Sequence, residues 1–331
     1  MKKLNLILGT LLSAAALSHA VDSYSDVVGY QKATLPANAY KGVGISLLNP
    51  AAISGSVSSK SGYVVSLSGA SSLGASLEAS PAAYYLEVTS PTNSPNIGDR
   101  FEVDVAATKT ANNGTVVLAT STRNTADASS ASLAAGTGVV VRKHVTFDQF
   151  RGSISGTLRG DDNSPALADV IYLHNGISFV PFWLGADLQS WLSNDDPDDH
   201  RYDVIAPGQG VLFYKRGSAA TFTSVGSVRN NDFKQSLQAG YQMSATGFPK
   251  NYSPVQLGGS IDQGWRNGDK IYVHNGISFT TYTLLNDGSA QGFWDDGENP
   301  DPSNDVTVLD GNTSFLTKLA VPSVDIEIKP Y

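Results

Sequence analysis

The chain of 331 residues contains no cysteine. Disulfide bonds, thiolate metal sites and cysteine nucleophiles are therefore excluded. Basic residues are scarce as well, because 22 Lys and Arg stand against 30 Asp and Glu and give a formal net charge of −8. A chain of this sign repels a phosphate backbone, so we expect no nucleic-acid partner.

Long apolar runs are also lacking, except at the N terminus. Lys2 and Lys3 precede a largely apolar stretch over residues 4–17, and Ser18-His19-Ala20 follows it. This order is typical of a secretory signal peptide over residues 1–20. A bilayer span needs about 20 apolar residues, so we predict no transmembrane segment after cleavage. The expected location is the periplasm, the cell surface or the extracellular space.

Helical periodicity is hard to find in any long window, whereas turn residues and β-formers are abundant. The chain has 32 Gly, 15 Pro and 14 Tyr, together with many Ser, Thr and Val. Segments such as 26–36, 82–89 and 100–106 alternate apolar and polar residues and are predicted strands. Glu87 and Glu102 alternate with apolar neighbours, which predicts that both face outward. The composition and pattern predict an all-β fold.

One phrase occurs twice, 100 residues apart: residues 171–179 read IYLHNGISF and residues 271–279 read IYVHNGISF. Asn-Gly between two apolar β runs predicts a hairpin with a two-residue type I′ turn. The turns would lie at Asn175-Gly176 and Asn275-Gly276. In the first hairpin, His174 would then pair with Ile177.

A second element, an apolar residue followed by a Gly turn and a strand, comes after each phrase at 205–216 and 308–318 and has a divergent version at 133–143. We therefore predict repeated β-sandwich or barrel-like modules built on the Asn-Gly hairpins. The predicted divisions are a signal peptide at 1–20, an N-terminal β domain at 21–145, and two β modules at 146–222 and 223–331.

Four short motifs carry a resemblance: Val28-Gly29-Tyr30, Tyr84-Tyr85-Leu86-Glu87, Asn175-Gly176 and Pro207-Gly208-Gln209-Gly210. With these motifs the chain resembles a family of uncharacterised secreted β-rich proteins from Verrucomicrobia-type bacteria. The chain departs from that family by having Ile-Ser-Phe after Asn-Gly, where a Trp is expected, and by its longer acidic loops. The resemblance implies export and an all-β fold and brings no activity with it.

Carboxylates are concentrated in two loops, one after each hairpin. Oxygen ligands on such loops suit Ca²⁺, and the alternative is a solvated acidic loop that has no ligand. The candidate calcium ligands are Asp195, Asp196, Asp198 and Asp199 in the first loop, and Asp295, Asp296, Asn299 and Asp301 in the second.

Tryptophans accompany the acidic loops, at Trp183, Trp191 and Trp294. An exposed ring could stack on a sugar while nearby carboxylates accept hydrogen bonds from its hydroxyl groups. The alternative is that these rings cap the cores beneath the loops.

Catalytic patterns are missing. We find no Gly-x-Ser-x-Gly elbow opening a helix, no His-Glu-x-x-His motif and no phosphate-binding glycine loop. We therefore expect an exported, non-catalytic structural or binding protein of the cell envelope or extracellular space. Its expected partner is an extracellular glycan or an envelope protein. The alternative is a carbohydrate-binding protein that uses the Trp and Asp loops with help from calcium, and a glycan-active enzyme ranks third.

Overall fold

The computed structural model describes residues 28–69, 73–91, 95–111, 114–297, 309–320 and 324–330. β-Strands make up 45% of the structure and helices 8%, so the predicted all-β fold is confirmed. The predicted signal peptide and two candidate calcium ligands, Asn299 and Asp301, lie outside the described residues. In the part of the chain that is described, no helix is long and apolar enough to cross a lipid bilayer.

Short antiparallel strands form almost all of the regular structure. The strands are β1 (Val28–Leu35), β2 (Ala39–Gly44), β3 (Leu47–Leu48), β4 (Ala51–Ser61), β5 (Val64–Ser68), β6 (Tyr84–Ser90), β7 (Arg100–Glu102), β8 (Thr115–Val117), β9 (Gly138–Lys143), β10 (Val145–Thr146), β11 (Ile154–Ser155), β12 (Val170–His174), β13 (Phe179–Leu184), β14 (Trp191–Leu192), β15 (Val204–Ile205), β16 (Gly210–Lys215), β17 (Ala220–Val228), β18 (Phe233–Leu237), β19 (Gly240–Ala245), β20 (Lys270–His274), β21 (Phe279–Leu285), β22 (Phe293–Asp295), β23 (Ser314–Leu319) and β24 (Val324–Ile328). The helices are α1 (Leu73–Ser76), α2 (Val105–Thr110) and α3 (Phe147–Gly152), with 3₁₀ turns at His200–Tyr202 and Ile261–Gln263.

Residues 51–143 form a domain around one antiparallel sheet, which we call the six-stranded domain. Its strand order is β7-β6-β9-β4-β5-β8. A bridge between Val103 and Leu118 joins the two outer strands, so the sheet closes on itself. Side chains alternate along a strand, and Phe101 and Val103 therefore both point into a core of aliphatic residues.

Two further sheets have five strands each and share one strand order. The first five-stranded sheet is β14-β13-β12-β16-β2, and the second is β22-β21-β20-β23-β19. An antiparallel pair covers each of them, β1 with β17 on the first and β18 with β24 on the second. Each sheet and its pair enclose one apolar core, so both bodies are two-layered.

The first five-stranded sheet is built from two separate chain segments. β1 pairs with β17 and β2 pairs with β16, which joins residues 28–44 to residues 210–228. These pairings cross the boundary predicted at residue 145. The six-stranded domain consequently sits as an insertion between β3 and β10.

The duplicated phrase forms a wider loop than the sequence predicts. β12 and β13 pair as far as His174 with Phe179, which leaves a four-residue loop at 175–178. The Asn175 side chain accepts hydrogen bonds from the third and fourth loop N–H groups at 3.0 and 2.9 Å. Of the two turn residues only Gly176 has a positive φ, at 96°. The predicted two-residue type I′ turn is wrong, because that turn needs positive φ at both positions.

The second copy of the phrase repeats this loop in detail. His274 pairs with Phe279, and Gly276 has a φ of 103°. Asn275 accepts the same two backbone hydrogen bonds, at 3.0 and 2.9 Å. The eight identical residues thus encode one loop conformation twice.

Ring contacts between the two five-stranded sheets are reciprocal. The His174 ring of the first sheet lies 5.9 Å from the Tyr241 ring of the second. The His274 ring of the second sheet lies 5.8 Å from the Tyr40 ring of the first. Equivalent surfaces therefore meet twice, as they do at an isologous interface between two copies of one protein.

Backbone contacts continue this interface. The Gly44 N–H donates to the Asn312 carbonyl at 3.0 Å, and the Ala245 N–H donates to the Gly208 carbonyl at 2.8 Å. A Cβ on Gly210 would stand 2.5 Å from a backbone oxygen of β19. The two sheets thus meet through direct backbone contacts, which hold them in a fixed relative position.

Candidate functional site

The tryptophans singled out from the sequence lie in the core. Trp183, Trp191 and Trp294 are 4%, 1% and 3% exposed. The Trp183 indole N–H donates to the Asp161 carbonyl at 3.0 Å, and that of Trp294 donates to the Gly259 carbonyl at 2.7 Å. A sugar must reach a ring face to stack on it. The prediction that these three rings form a sugar-binding surface is therefore wrong, because β13, β14 and β22 direct them inward.

Two carboxylates of the first acidic loop accept hydrogen bonds from backbone N–H groups. It contains the candidate calcium ligands Asp195, Asp196, Asp198 and Asp199. Asp196 accepts the N–H of Asp198 at 3.0 Å. Asp199 accepts the Trp191 N–H at 3.0 Å and pairs with the Arg201 guanidinium. These bonds hold the backbone of the loop in place.

In the second acidic loop, Asp295 accepts the Gly297 N–H at 2.9 Å, and Asp296 follows it. Within the described ranges, no three His, Cys, Asp or Glu side chains are grouped so that they could hold a metal ion. Calcium at these loops stays a prediction, since Asn299 and Asp301 lie outside those ranges.

A different site emerges where the six-stranded domain meets both five-stranded bodies. This cleft, which we call the three-way cleft, has a volume of about 800 Å³. Such a volume falls in the usual range for ligand pockets. All three parts of the molecule supply its walls, including Arg100 and residues 122–125, His174, and the amides of Gln209 and Gln235.

Arg100 is the most deeply buried charge in this cleft. The side chain is 6% exposed, and its Cζ lies 4.2 Å from the centre of the Phe233 ring. Its backbone is fixed by Thr125, whose hydroxyl accepts the Arg100 N–H at 2.8 Å. Nη1 has no hydrogen-bond partner among the described residues. Burial lowers the pKa of Arg100 to about 10, so the group is still a cation at neutral pH.

Arg123 is the second cation of the cleft. Its Nε and Nη2 lie 3.1 and 3.2 Å from the two carboxylate oxygens of Glu102. This bidentate pair holds the guanidinium in one orientation. Nearly half of the side chain is exposed, so Arg123 presents charge to the cleft opening while Arg100 presents it from beneath.

Glutamine amides add neutral polar groups. The Gln235 amide donates to the Gly208 carbonyl at 2.9 Å, while its Oε1 has no partner among the described residues. That donation fixes which end of the amide is the oxygen. Gln209 accepts the Ala206 N–H at 3.0 Å and so is held in place. An unpaired donor on a cation and an unpaired amide acceptor thus lie just behind the surface of the cleft.

His174 lines the cleft without serving as an available base. The Gly176 N–H donates to its Nδ1 at 3.0 Å. Burial lowers the pKa of His174, and a hydrogen bond with the Tyr241 backbone only partly offsets this. The ring is therefore neutral at neutral pH, and both of its nitrogens are engaged.

The sign of its charge distinguishes this cleft. Its lining, as far as the described residues go, includes two arginines and no carboxylate, on a chain of net charge −8. A cavity of about 740 Å³ beside α3 is lined by Glu78 and Asp148 among others. Another of about 600 Å³ is lined by Asp262 and Glu327 among others. Both of those cavities also have two cations each, Lys143 and Arg151 in the first and Lys250 and Lys329 in the second. The charged residues of the described three-way lining are arginines alone, which suits an anion.

Two glutamates expected to face outward are buried instead. Glu87 is 0% exposed and pairs with the Arg229 guanidinium, and Glu102 has both oxygens near His144 Nε2, at 3.1 and 3.0 Å. Both do lie on the outer face of the closed sheet. The predicted outward position is therefore right, but the rest of the chain covers that face, so neither residue is exposed.

Sequence reasoning missed Arg100, Arg123 and Gln235. Arg100 begins an ordinary strand and Arg123 stands in a loop of small polar residues, so no local pattern marks either. A faint signal was present in Pro207-Gly208-Gln209-Gly210, because the Gly208 carbonyl and the Gln209 side chain both belong to this site. The cleft forms only when segments over 100 residues apart meet.

These features define an all-β protein with one closed sheet, two two-layered bodies and a polar cleft at their junction. No protein-family model, no curated protein and no solved structure matches the chain.

Proposed function

We propose that this is an exported, non-catalytic binding protein of the cell envelope or extracellular space, and that it holds a glycan in the three-way cleft. The observation that carries the proposal is the cleft itself, with its volume of about 800 Å³ and its amide, hydroxyl and guanidinium lining. Such groups match the hydroxyl groups of a saccharide, which both donate and accept hydrogen bonds. This moves the binding site away from the acidic loops.

The lack of a carboxyl pair among the described residues of the cleft supports a binding role over the enzyme alternative. Glycoside hydrolysis needs two carboxyl groups that flank the scissile bond. No carboxylate is among the described residues that line the cleft. His174, which could otherwise serve as a base, has its nitrogens engaged in the hairpin loop and at Tyr241.

Export is supported by the signal-like residues 1–20 and by the resemblance to secreted proteins. Expression of the full chain in a Gram-negative host, followed by fractionation and N-terminal sequencing, tests it. We expect a mature protein that begins at Val21 and is found outside the cytoplasm. An intact Met1 in the cytoplasmic fraction would contradict export and leave glycan binding to be judged separately.

Glycan binding is tested on an array of neutral and acidic oligosaccharides, with a matched pair of variants. Gln238 is exposed and lines the three-way cleft, so Gln238→Trp should fill the cleft and abolish binding. Gln263 is also exposed but lines a different cavity, so Gln263→Trp should bind like the unmodified protein. Equal binding by both variants would show that the ligand does not occupy the three-way cleft.

A further inference from the structure

The geometry points to an acidic saccharide, of the uronic acid type, as the ligand class of the three-way cleft. This inference rests on the proposed function and adds the charge of the ligand to it. The sugar carboxylate would bind the guanidinium groups of Arg100 and Arg123, and a sugar hydroxyl would donate to Gln235.

The unpaired atoms of the cleft supply the first argument. Two buried side-chain atoms of cleft residues lack a partner among the described residues: Arg100 Nη1 and Gln235 Oε1. A buried polar group without a partner is unfavourable, and a buried charge more so. Both atoms lie just behind the cleft surface, so a ligand reaches them when the Arg100 and Gln235 side chains turn toward it, and a ligand with one anionic acceptor and one neutral donor would then satisfy both. A carboxylate and a hydroxyl on one sugar ring are such a combination.

The arrangement of charge supplies the second argument. The backbone of Arg100 is fixed by Thr125 and its guanidinium lies against Phe233, while Arg123 is oriented by Glu102. Fixed guanidinium groups recognise carboxylates through paired, charge-assisted hydrogen bonds. Glu102 engages two nitrogens of Arg123 and leaves the third available to a ligand. Glu102 offsets the charge of Arg123 at 3.1 Å, but no carboxylate is among the described residues that line the cleft itself.

The test compares each acid with its own uncharged form. Short oligosaccharides of galacturonic, glucuronic and mannuronic acid, and the methyl esters of each, are titrated into the full mature chain by calorimetry. The esters keep the sugar skeleton and its hydroxyl groups and remove the charge. We expect at least one free acid to bind about tenfold or more tightly than its ester, as charge-assisted hydrogen bonds predict.

A pair of arginine variants locates the effect. Arg123→Gln should bring the affinity of the free acid down to that of the ester, because Arg123 is exposed enough to be replaced without opening a core. Arg216 stacks on Tyr214 and does not line the cleft, so Arg216→Gln should keep the full difference between acid and ester. The wild-type comparison needs no variant, so misfolding of Arg123→Gln would not remove the test.

The outcomes separate this inference from the proposed function. If acids and esters bind with equal affinity, the charge assignment is wrong while glycan binding stands. If neither acids, esters nor the neutral oligosaccharides of the array bind, both are wrong. If Arg216→Gln loses the preference for acid and Arg123→Gln keeps it, the acid is bound elsewhere.

Discussion

Lys215 places its ammonium nitrogen 3.0 and 3.1 Å from the two carboxylate oxygens of Asp169, and solvent reaches neither side chain. The second five-stranded sheet has a different residue at the position equivalent to Lys215. Leu319 ends β23 as Lys215 ends β16, and Asp269 binds two backbone N–H groups without a lysine. Asp169 also binds two backbone N–H groups. The carboxylate thus organises the backbone in both sheets, and only the first adds a buried cation.

The buried Lys215–Asp169 pair predicts a large loss of stability when the lysine charge is removed. Lys215→Met should lower the free energy of unfolding by about 3–5 kcal/mol, because it leaves the Asp169 charge buried without its counter-ion. Leu319→Met at the corresponding position should lower it by less than about 1.5 kcal/mol. Urea unfolding followed by tryptophan fluorescence measures both. Equal losses would mean that Lys215 contributes only its hydrocarbon chain.

A second buried pair, Glu87 with Arg229, ties the six-stranded domain to the segment before β18. Glu87→Leu and Arg229→Met should each lower the free energy of unfolding by about 3–5 kcal/mol, whereas the double variant should recover much of that loss. A double-mutant cycle by urea unfolding gives the coupling energy. Additive losses in the double variant would contradict direct pairing of Glu87 with Arg229. The main partner of Glu87 would then be Asn231, whose amide donates to it at 3.1 Å.

The stability of the fold should decrease as the pH is lowered, because His144 and Glu102 become protonated. Burial lowers the pKa of His144, and Glu102 offsets this only in part. Burial raises the pKa of Glu102, but hydrogen bonds from His144 and Arg123 outweigh burial and hold that pKa below its usual value. In both cases the unfolded chain binds protons more readily, so stability is lost as pH falls.

The pH ranges follow from the ordinary pKa values, 6.5 for His and 4.5 for Glu. The urea midpoint should decline as pH drops below 6.5 and decline further below 4.5. Arg100 and Arg123 also face the pair and add to the lowering for His144. His144→Gln should reduce the decline in the upper range, and an unchanged profile in this variant would assign that decline to other groups.

The strand content was predictable because it depends on local alternation. β1 and β6 fall where apolar and polar residues alternate, as expected for 26–36 and 82–89. The predicted strand at 100–106 fails after Glu102, since the Asp104 side chain accepts the Ala107 N–H at 2.8 Å and starts α2. A capping carboxylate inside an alternating segment competes with the strand, and alternation alone does not show which wins.

The candidate site was not predictable, because burial and long-range pairing create it. Trp294 directly precedes Asp295 and Trp183 stands four positions before Asp187, yet their strands turn the rings into the cores. Arg100 and Gln235 are 135 positions apart and meet only because the six-stranded domain is inserted between β3 and β10. The decisive pairings join residues 28–44 to residues 210–228, and no local pattern carries that information.

Replacing a hairpin glycine should lower stability through its backbone conformation and not through a steric clash. Gly276 has a φ of 103°, and no described atom beyond its chain neighbours lies within 4 Å of the point where a Cβ would stand, so Gly276→Ala should destabilise by about 1 kcal/mol through backbone strain alone. Gly152 has equal space and no positive φ, and it lies in α3. Gly152→Ala should therefore be neutral or stabilising. Thermal melting of the two variants checks the contrast, which would vanish if the loop relaxed to accept alanine.

Trp191 and Trp294 occupy matching places, each paired across the sheet with a buried leucine, Leu184 or Leu284. They differ in hydrogen bonding: Trp294 Nε1 donates to the Gly259 carbonyl at 2.7 Å, while Trp191 Nε1 has no partner among the described residues. Trp294→Phe leaves the Gly259 carbonyl without its hydrogen-bond donor. Trp191→Phe removes only a donor that has no partner among the described residues. Trp294→Phe should therefore lower the free energy of unfolding by about 1 kcal/mol more than Trp191→Phe.

Glycan titrations of the same two variants connect this stability difference to the position of the site. Both rings are buried away from the three-way cleft, so the folded variants should bind saccharides with unchanged affinity. Equal stability losses would contradict the hydrogen-bond argument. A loss of affinity in a variant with an intact melting transition would instead return the binding site to the tryptophan loops, since the phenyl ring keeps the fold but changes the local surface.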